Sequence, residues 1–520
     1  MRKRMACAAA ASLLLLAACR VGPKYKAPAA PVPQVPSYKE ATPAQYKNAP
    51  PGTWQPASPQ DAMLKGKWWE IFREPELNAL EEQLNIDNQN IAEFFQNFMA
   101  ARALVREARS GYFPVIGAAP SVTATRSGSG GAVINTSTAG ANTSTVGGVN
   151  GNIFTNVTLP LEASWAPDLF GRVRNTVAES RYNAQVSAAD LENERLLEQA
   201  SLAVYYFELR GQDWLQDVYN RTIEADREAL HLTQLLVKTG IDSPQAEVQA
   251  EETLRAAEAA ATGVGTNRAI YEHAIATLIG KPATSFGLPV RPLTTPPPPI
   301  PIGVPSQLLE RRPDIAAAER AMASANAAIG VAVAAYYPSL NLSGSAGVQA
   351  SPIGHFISAP SYFWSVGALL AQTIYNGGLR GATVDQFTAQ YNADVALYRQ
   401  TVLTAFQQVE DYLAALRITS AAIAQQEQAV RAAQEYLDMA LARYKAGIDP
   451  YLNVINAQLT LLTDQTTLVG LRVAEMVAAV QLIEALGGGW DRTRLPTATE
   501  ITSTAVEKQL APGVQNGTKK

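Results

Sequence analysis

The feature that most limits the fold is an internal repeat, in which three short motifs recur in the same order. Tyr112-Phe113-Pro114 returns as Tyr336-Tyr337-Pro338, Tyr182-Asn183-Ala184 returns as Tyr391-Asn392-Ala393, and Lys238-Thr239-Gly240-Ile241-Asp242 returns as Lys445-Ala446-Gly447-Ile448-Asp449. The copies lie roughly 200 residues apart, which indicates duplication of a whole structural unit rather than a short-period solenoid. We therefore predict one repeat at 73–295 and a second at 303–490, separated by a proline-rich joint at 296–301.

Each half contains a long stretch almost free of Gly and Pro, at about 171–239 and about 381–446. As helices rising 1.5 Å per residue, these stretches would each reach roughly 100 Å. The second carries an apolar residue at every seventh position: Val395, Val402, Val409, Leu416, Ile423, Val430, Leu437 and Tyr444. The first carries a shorter series, with a gap at Gly211 and a companion series at Phe207 and Trp214: Leu197, Val204, Val218, Ala225 and Leu232. Such seven-residue steps predict coiled coils.

Each half also holds two runs typical of strands, at about 115–126 and 153–166, and at about 339–350 and 362–375. In the last run Phe363, Ser365 and Gly367 alternate with Tyr362 and Trp364, and aromatic residues near strand ends suit a membrane interface. A soluble sheet fits these runs equally well, but it leaves the long helices and the repeat unexplained.

If the strands lie in a membrane, four per chain cannot close a barrel, and open sheet edges are not tolerated in lipid. A dimer would supply eight strands with a filled interior, whereas a trimer would supply twelve and an open pore. The predicted fold is a mixed α and β membrane channel. Its trimeric 12-stranded β-barrel is continued by a long α-helical coiled-coil tunnel.

The first residues predict export. Basic residues 2–4 precede an apolar run at 5–18, which is typical of a signal peptide at 1–18. Leu16-Ala17-Ala18-Cys19 resembles a lipobox, so we predict acylation of Cys19 and an N-terminal tether at 19–72; an ordinary signal peptide with a chance cysteine is the alternative. Past the signal we find no stretch of about 18 strongly apolar residues, the nearest being 321–337. Residues 491–520 form a polar C-terminal tail.

Composition argues against several other functions. The two cysteines are Cys7, which the signal peptide removes, and Cys19, so the mature chain has no disulfide. A net charge of −4 excludes a basic nucleic-acid surface. His231, His273 and His355 lack metal-ligand spacing, and no phosphate-binding loop, nucleophile elbow or redox motif is found. We predict no cofactor and no enzymatic activity. A structural periplasmic lipoprotein remains an alternative.

Longer motifs carry a resemblance to a known family. They are Asp168-Leu169-Phe170-Gly171-Arg172, Leu308-Leu309-Glu310-Arg311-Arg312-Pro313-Asp314-Ile315, Ala325-Asn326-Ala327-Ala328-Ile329-Gly330, Ala405-Phe406-Gln407-Gln408-Val409 and Ala485-Leu486-Gly487-Gly488-Gly489-Trp490. With the lipobox they resemble the TolC family of outer-membrane factors, in its NodT-type lipoprotein branch, similar to the OprM channel. The resemblance extends from the lipobox to Trp490.

This resemblance implies an outer-membrane homotrimer, lipid-anchored, with its tunnel in the periplasm. It implies that the duct receives small molecules from an inner-membrane transporter of RND type through a periplasmic adaptor. A type I protein-secretion channel of the same fold is the alternative, although the lipobox and the Gly-Gly-Gly-Trp ending favour efflux.

The family also implies a periplasmic gate at the helical turn after Tyr444, lined by Leu452, Asn453 and Asn456. Related channels often carry aspartates at the positions of Asn453 or Asn456, forming an acidic ring. Asparagine at both positions predicts a hydrogen-bonded or apolar gate instead. The alternative is that these are ordinary polar residues at a helix start.

Overall fold

The computed structural model describes residues 20–31, 38–40, 66–126, 153–293, 295–300, 308–350 and 361–511. The predicted signal peptide, Cys19, the loops at 127–152 and 351–360, and His355 lie outside the described residues. The chain divides into two compact units, and each takes segments from both predicted repeats. One unit comprises residues 1–28, 100–184 and 320–395, and the other comprises residues 29–99, 185–319 and 396–520.

The helices and strands of the two halves follow one another in a similar order. The first half contains α1 (Pro75–Asp87), α2 (Gln89–Ser110), β1 (Val115–Ala118), β2 (Ser121–Arg126), β3 (Ile153–Trp165), α3 (Arg172–Lys238) and α4 (Pro244–Leu278). The second contains α5 (Leu308–Arg311), α6 (Pro313–Ala334), β4 (Ser339–Ala350), β5 (Tyr362–Ala371), α7 (Leu379–Lys445) and α8 (Tyr451–Ala485), followed by α9 (Thr504–Leu510).

Corresponding helices have equal lengths in the two halves. Helices α2 and α6 have 22 residues each, α3 and α7 have 67, and α4 and α8 have 35. The bounds of α3 and α7 agree with the predicted long helices to within two residues at each end. Equal lengths in the same order support the duplication inferred from the motifs.

The strands form one antiparallel sheet in which β3 and β4 are central and β5 lies beside β4. Strands β1 and β2 both pair with β3, so together they occupy the position of one predicted strand that is interrupted at residues 119–120. Strand β5 ends at Ala371, earlier than predicted, and beyond it Arg380 at the start of α7 donates to the backbone carbonyls of Thr373 and Ile374.

The two faces of the sheet differ in polarity. On one face Ser345 bonds to Ser365 across the β4–β5 pair at 2.9 Å, and Ser121 bonds to Thr158 across the β2–β3 pair at 2.7 Å. On the other face the apolar side chains of β5 are exposed, with Trp364 at 78% and Val366 at 80%. The predicted alternation in this strand is therefore confirmed. An exposed apolar face is unusual for a sheet in water.

Helix α8 corrects one expectation from the sequence. Its most apolar 18-residue window has a mean hydropathy of 1.5, so the helix is long and apolar enough to cross a membrane, which was not predicted from the sequence. Half of that window is buried, however. Val454, Ala457 and Leu461 belong to a core cluster that α8 shares with α3, α4 and α7, so we treat the helix as a packing element of the protein.

The seven-residue series in α7 is largely buried, as predicted. Its buried members are Val402, Val409, Leu416, Ile423, Leu437 and Tyr444. The series predicted in α3 is confirmed only in part: Val218 is buried and Leu232 packs against a core cluster, whereas Leu197 and Ala225 are exposed. Further buried residues of α3 lie outside the series, among them Leu202, Leu209, Ile223 and Asp226.

Gly211, which looked like a gap in the α3 series, is a point of close approach. A Cβ at this position would lie 2.3 Å from Cγ2 of Val473 on α8, well inside van der Waals contact. The backbone of α3 therefore reaches α8 here only because residue 211 has no side chain.

The unit comprising residues 29–99, 185–319 and 396–520 has an aromatic core, to which Trp68, Phe72 and Phe207 contribute. Beside it, the buried Arg210 pairs with Asp213 at 2.8 Å and also with Glu76. After Trp490, Ile501 and Leu510 are buried, and Arg195 of α3 donates to the Leu510 carbonyl at 3.2 Å.

Candidate functional site

The candidate site consists of the two turns that connect the long helices, α3 to α4 and α7 to α8. Both turns contain the repeated Lys-x-Gly-Ile-Asp motif and have the same backbone geometry. Gly240 and Gly447 have φ values of +77° and +69°, which side-chain-bearing residues rarely adopt. In each turn the N–H of the isoleucine after the glycine donates to the backbone carbonyl five residues earlier. Ile241 donates to Leu236 and Ile448 donates to Arg443, both at 2.9 Å, and these bonds close the helix ends.

A hydrogen bond joins the two turns. The Tyr444 hydroxyl, at the end of α7, donates to Oδ2 of Asp242 at 2.7 Å and lies 3.1 Å from Oγ1 of Thr233 on α3. Tyr444 is only 4% exposed, so this polar contact is held inside the helix packing. Val237 occupies the equivalent position in the first half. A valine side chain cannot donate a hydrogen bond, so the duplicated turns differ at this position.

The surroundings of Tyr444 keep its hydroxyl protonated. Burial raises the pKa of Tyr444 to about 12, and the hydrogen bond to the Asp242 carboxylate acts in the same direction. Its ring packs on Tyr451, the first residue of α8, with centroids 5.2 Å apart. The hydroxyl is therefore a donor throughout the physiological pH range.

Asp449 occupies the equivalent position to Asp242 but has a different partner. It accepts two bonds from the Arg443 guanidinium, at 2.6 and 2.9 Å. The Arg443 hydrogen bond is the main cause that lowers the pKa of Asp449 below its ordinary value. The neighbouring Asn453 side chain acts on this pKa in the same direction, more weakly.

The other residues predicted to line a gate lie on the outer face of α8. Leu452 is 50% exposed and Asn456 is exposed, while Asn453 is half-buried. The spacing i, i+4 places Leu452 and Asn456 on one face of the helix, as the sequence predicted.

A second site of interest lies where the chain follows Cys19. The Val21 N–H donates to the Phe170 carbonyl at 3.2 Å, and Asn175 donates from Nδ2 to the Val21 carbonyl at 3.0 Å. Arg20 bonds through Nε to Oδ1 of Asn175 at 2.5 Å, and its Cα lies 3.0 Å from where a Cβ on Gly171 would be. We call residues 20–22 the N-terminal strap. It is fixed to the backbone between β3 and α3.

Sequence reasoning missed several of these residues. Asp242 and Thr233, which lie against the Tyr444 hydroxyl, and Arg443 and Asp449, which pair with each other, were not among the predicted site residues. The repeated Lys-x-Gly-Ile-Asp motif could have drawn attention to both aspartates. Among the described residues, no group of three or more His, Cys, Asp or Glu side chains is arranged to hold a metal ion.

Comparison with known proteins identifies the family. The outer membrane efflux protein family model matches residues 80–281 and 304–488. The antibiotic efflux pump outer membrane protein ArpC of Pseudomonas putida is 30% identical over 490 residues, which cover 92% of this chain and 95% of that protein. The outer membrane protein OprJ of Pseudomonas aeruginosa is 30% identical over 498 residues, with the same two coverages.

Solved structures show the same fold. The outer-membrane channel OprN superposes with a TM-score of 0.78 at 26% identity, over 91% of this chain and 100% of that chain. The CmeC outer membrane channel of Campylobacter jejuni superposes with a TM-score of 0.80 over 95% and 99%, and its 19% identity supports the fold alone. The predicted resemblance is therefore confirmed, and this chain belongs to the outer membrane efflux protein family.

Proposed function

We propose that this outer-membrane efflux protein forms the exit channel of a tripartite pump, with three copies closing one barrel through the membrane. The observation that carries the proposal is the sheet. Within the described residues β5 pairs only with β4, and β1 and β2 pair only with β3, so both edges carry unpaired backbone groups. One face is apolar and exposed. A lipid-exposed sheet must bury its edges, and the mixed polar and apolar faces suit a barrel with a wet interior.

The long helices supply the rest of the duct. A helix of 67 residues extends about 100 Å, several times the roughly 30 Å of a bilayer's hydrocarbon core. Three copies of α3 and α7, with their partners α4 and α8, would continue the barrel as a tunnel in the periplasm. A periplasmic adaptor and an inner-membrane transporter of RND type would deliver the cargo. The relatives are named as efflux pump proteins, which favours efflux over type I protein secretion.

We place the gate of this channel at the two turns. Leu452, Asn453 and Asn456 of each copy would surround the constriction, and the Tyr444–Asp242 bond would hold α7 against α3 in the closed state. The exposure of Leu452 and Asn456 supports this role, because both side chains are available to a neighbouring copy. Cys19 would carry acyl chains in the outer membrane.

Planar-bilayer recording tests the proposal. Purified protein should give discrete conductance steps, and the double variant Tyr444→Phe with Asp242→Asn should conduct more often than the parent. In cells lacking the chain, accumulation of a fluorescent efflux substrate should rise and return to normal when the chain is restored. Protein that inserts into bilayers and never conducts, even as the double variant, contradicts the proposed channel.

A further inference from the structure

Asp226 is an acidic residue enclosed in the helix packing of α3. It is 1% exposed, and neither carboxylate oxygen has a hydrogen-bond partner among the residues that the structure describes. A buried charge without a partner is costly, so such a group is seldom retained inside a helical core. The position is also unexpected from the sequence, since the seven-residue series places Ala225 inside and Asp226 outside.

Asp226 is one of several buried polar groups that have no hydrogen-bond partner among the described residues. Its charge is among the causes that raise the pKa of Tyr451, the first residue of α8, whose buried hydroxyl has no partner within the described part of the chain. Oε1 of Gln458, two turns further along α8, is in the same condition. Ala229, one turn after Asp226, and Tyr451 belong to one core cluster that α3, α4, α7 and α8 share.

No opposite charge compensates Asp226 within the described residues. Burial alone raises its pKa from 3.8 to about 6. Neighbouring charges on α3 and α4 are engaged elsewhere: Arg227 pairs with Glu224 and Glu258, and Glu258 pairs with Arg255. Helix α7 brings Tyr444, whose hydroxyl bonds to Asp242, and α8 brings Tyr451. These groups thus do not neutralise an ionised Asp226.

We propose that Asp226 makes the helical tip pH-responsive, tightening it when the carboxyl is protonated and loosening it when the carboxyl is ionised. A protonated carboxyl carries no charge, so it stays inside the helix packing at a much smaller desolvation cost than a carboxylate. An ionised Asp226, buried without a hydrogen-bond partner among the described residues, is costly there, so separating α3 from its neighbouring helices to admit water becomes more favourable. Because Tyr451 packs on Tyr444, this loosening reaches the residue that bonds to Asp242. The inference rests on the proposed gate at the two turns.

The direction with pH follows from linkage. In the closed tip the pKa of Asp226 is about 6, and in an open, hydrated tip it returns towards 3.8. Below pH 4 both states hold the proton, and between pH 4 and 6 the closed state binds it preferentially. Above pH 6 both states are ionised and the closed state has lost this advantage. The closed-to-open ratio should therefore fall by up to about 100-fold per chain as pH rises from 4 to above 6.

Recording the parent, Asp226→Asn and Asp217→Asn in planar bilayers between pH 4 and 7.5 tests the inference. Asp217 is a matched control, because it undergoes the same change on the same helix but pairs with Arg221 at the surface. The parent and Asp217→Asn should open more often as pH rises. Asp226→Asn, which is neutral at every pH, should lose that response. Asp226→Leu, also permanently neutral, should lose it as well.

Amide hydrogen exchange of residues 444–456 gives a readout that does not need conduction. In acid, the parent and Asp226→Asn should show similar protection from exchange. Near neutral pH, the parent should be less protected than Asp226→Asn. A parent-like pH response in Asp226→Asn, by recording or by exchange, overturns the inference while leaving the channel intact. If every variant inserts but none conducts, the proposed function fails, and the exchange data still decide the role of Asp226.

Discussion

Replacing Tyr444 by Phe removes one hydroxyl from the turn region and leaves the aromatic ring in place. The lost interaction is the 2.7 Å bond to the Asp242 carboxylate. Hydrogen bonds to charged groups contribute about 1.5–3 kcal/mol, but Asp242 is only half-buried and water can replace part of the bond. We therefore expect a loss of roughly 1–2 kcal/mol from the closed state of each chain, which corresponds to about a 5–30-fold change in equilibrium.

The ring should keep its packing on Tyr451, so this change should not unfold the tip. Tyr436→Phe is the matched control, because Tyr436 lies on the same helix with its side chain 44% exposed. Open probability in planar bilayers should rise for Tyr444→Phe and stay at the parental value for Tyr436→Phe. Asp242→Asn should act in the same direction as Tyr444→Phe, because an amide oxygen is a weaker acceptor than a carboxylate. Equal open probability in the parent and Tyr444→Phe would show that this bond does not hold the gate.

Three further predictions concern the anchor, the assembly and the constriction. Cys19→Ser should abolish acylation and leave an uncleaved or mislocalised precursor, and radiolabelled palmitate entering the variant as strongly as the parent would contradict this. The four-stranded sheet predicts a trimer that survives in detergent; light scattering that gives a monodisperse monomer with intact β-signal in circular dichroism would argue against it. Replacing both Asn453 and Asn456 by Asp should raise conductance at low ionic strength and introduce a divalent-cation block, since carboxylates repel one another and residue 453 already faces Asp449. Parental conductance with no new block would mean that these two residues do not line the constriction.

The bounds of the long helices could be predicted closely because nearby residues mark where these helices begin and end. Glycines with positive φ end α3 and α7, at Gly240 and Gly447, and few Gly or Pro residues interrupt the helices between. The alternation in β5 could be predicted equally well, because successive side chains of a strand point to opposite faces of the sheet. The resemblance to the family rested on motifs spread over nearly the whole mature chain.

The buried face of α3 could not be predicted in the same way. A seven-residue series identifies a stripe that suits one neighbour, and an undistorted helix drifts relative to that step. Helix α3 packs against more than one helix, so Ala225 is exposed and Asp226 is buried. Gly211 shows the same limit, since only the position of Val473 explains the missing side chain.

The gate residues were predicted through the family, and their bonding partners were not. Tyr444 lies 202 residues after Asp242 in the sequence, so no local pattern predicts that they bond. Only the folded chain brings the two turns together. The repeated motif places an aspartate in both turns, but it does not say that one accepts from Tyr444 while the other pairs with Arg443.

The N-terminal strap has a mechanical consequence for the anchor. Arg20 and Val21 are bonded to Asn175 and Phe170, and Cys19 is only one peptide unit, about 3.8 Å, further along the chain. If Cys19 is acylated as predicted, its acyl chains would be joined to the protein by a very short segment that is already bonded beside the end of β3. We expect such an anchor to limit movement of the sheet along the membrane normal, because that movement would drag the acyl chains with it.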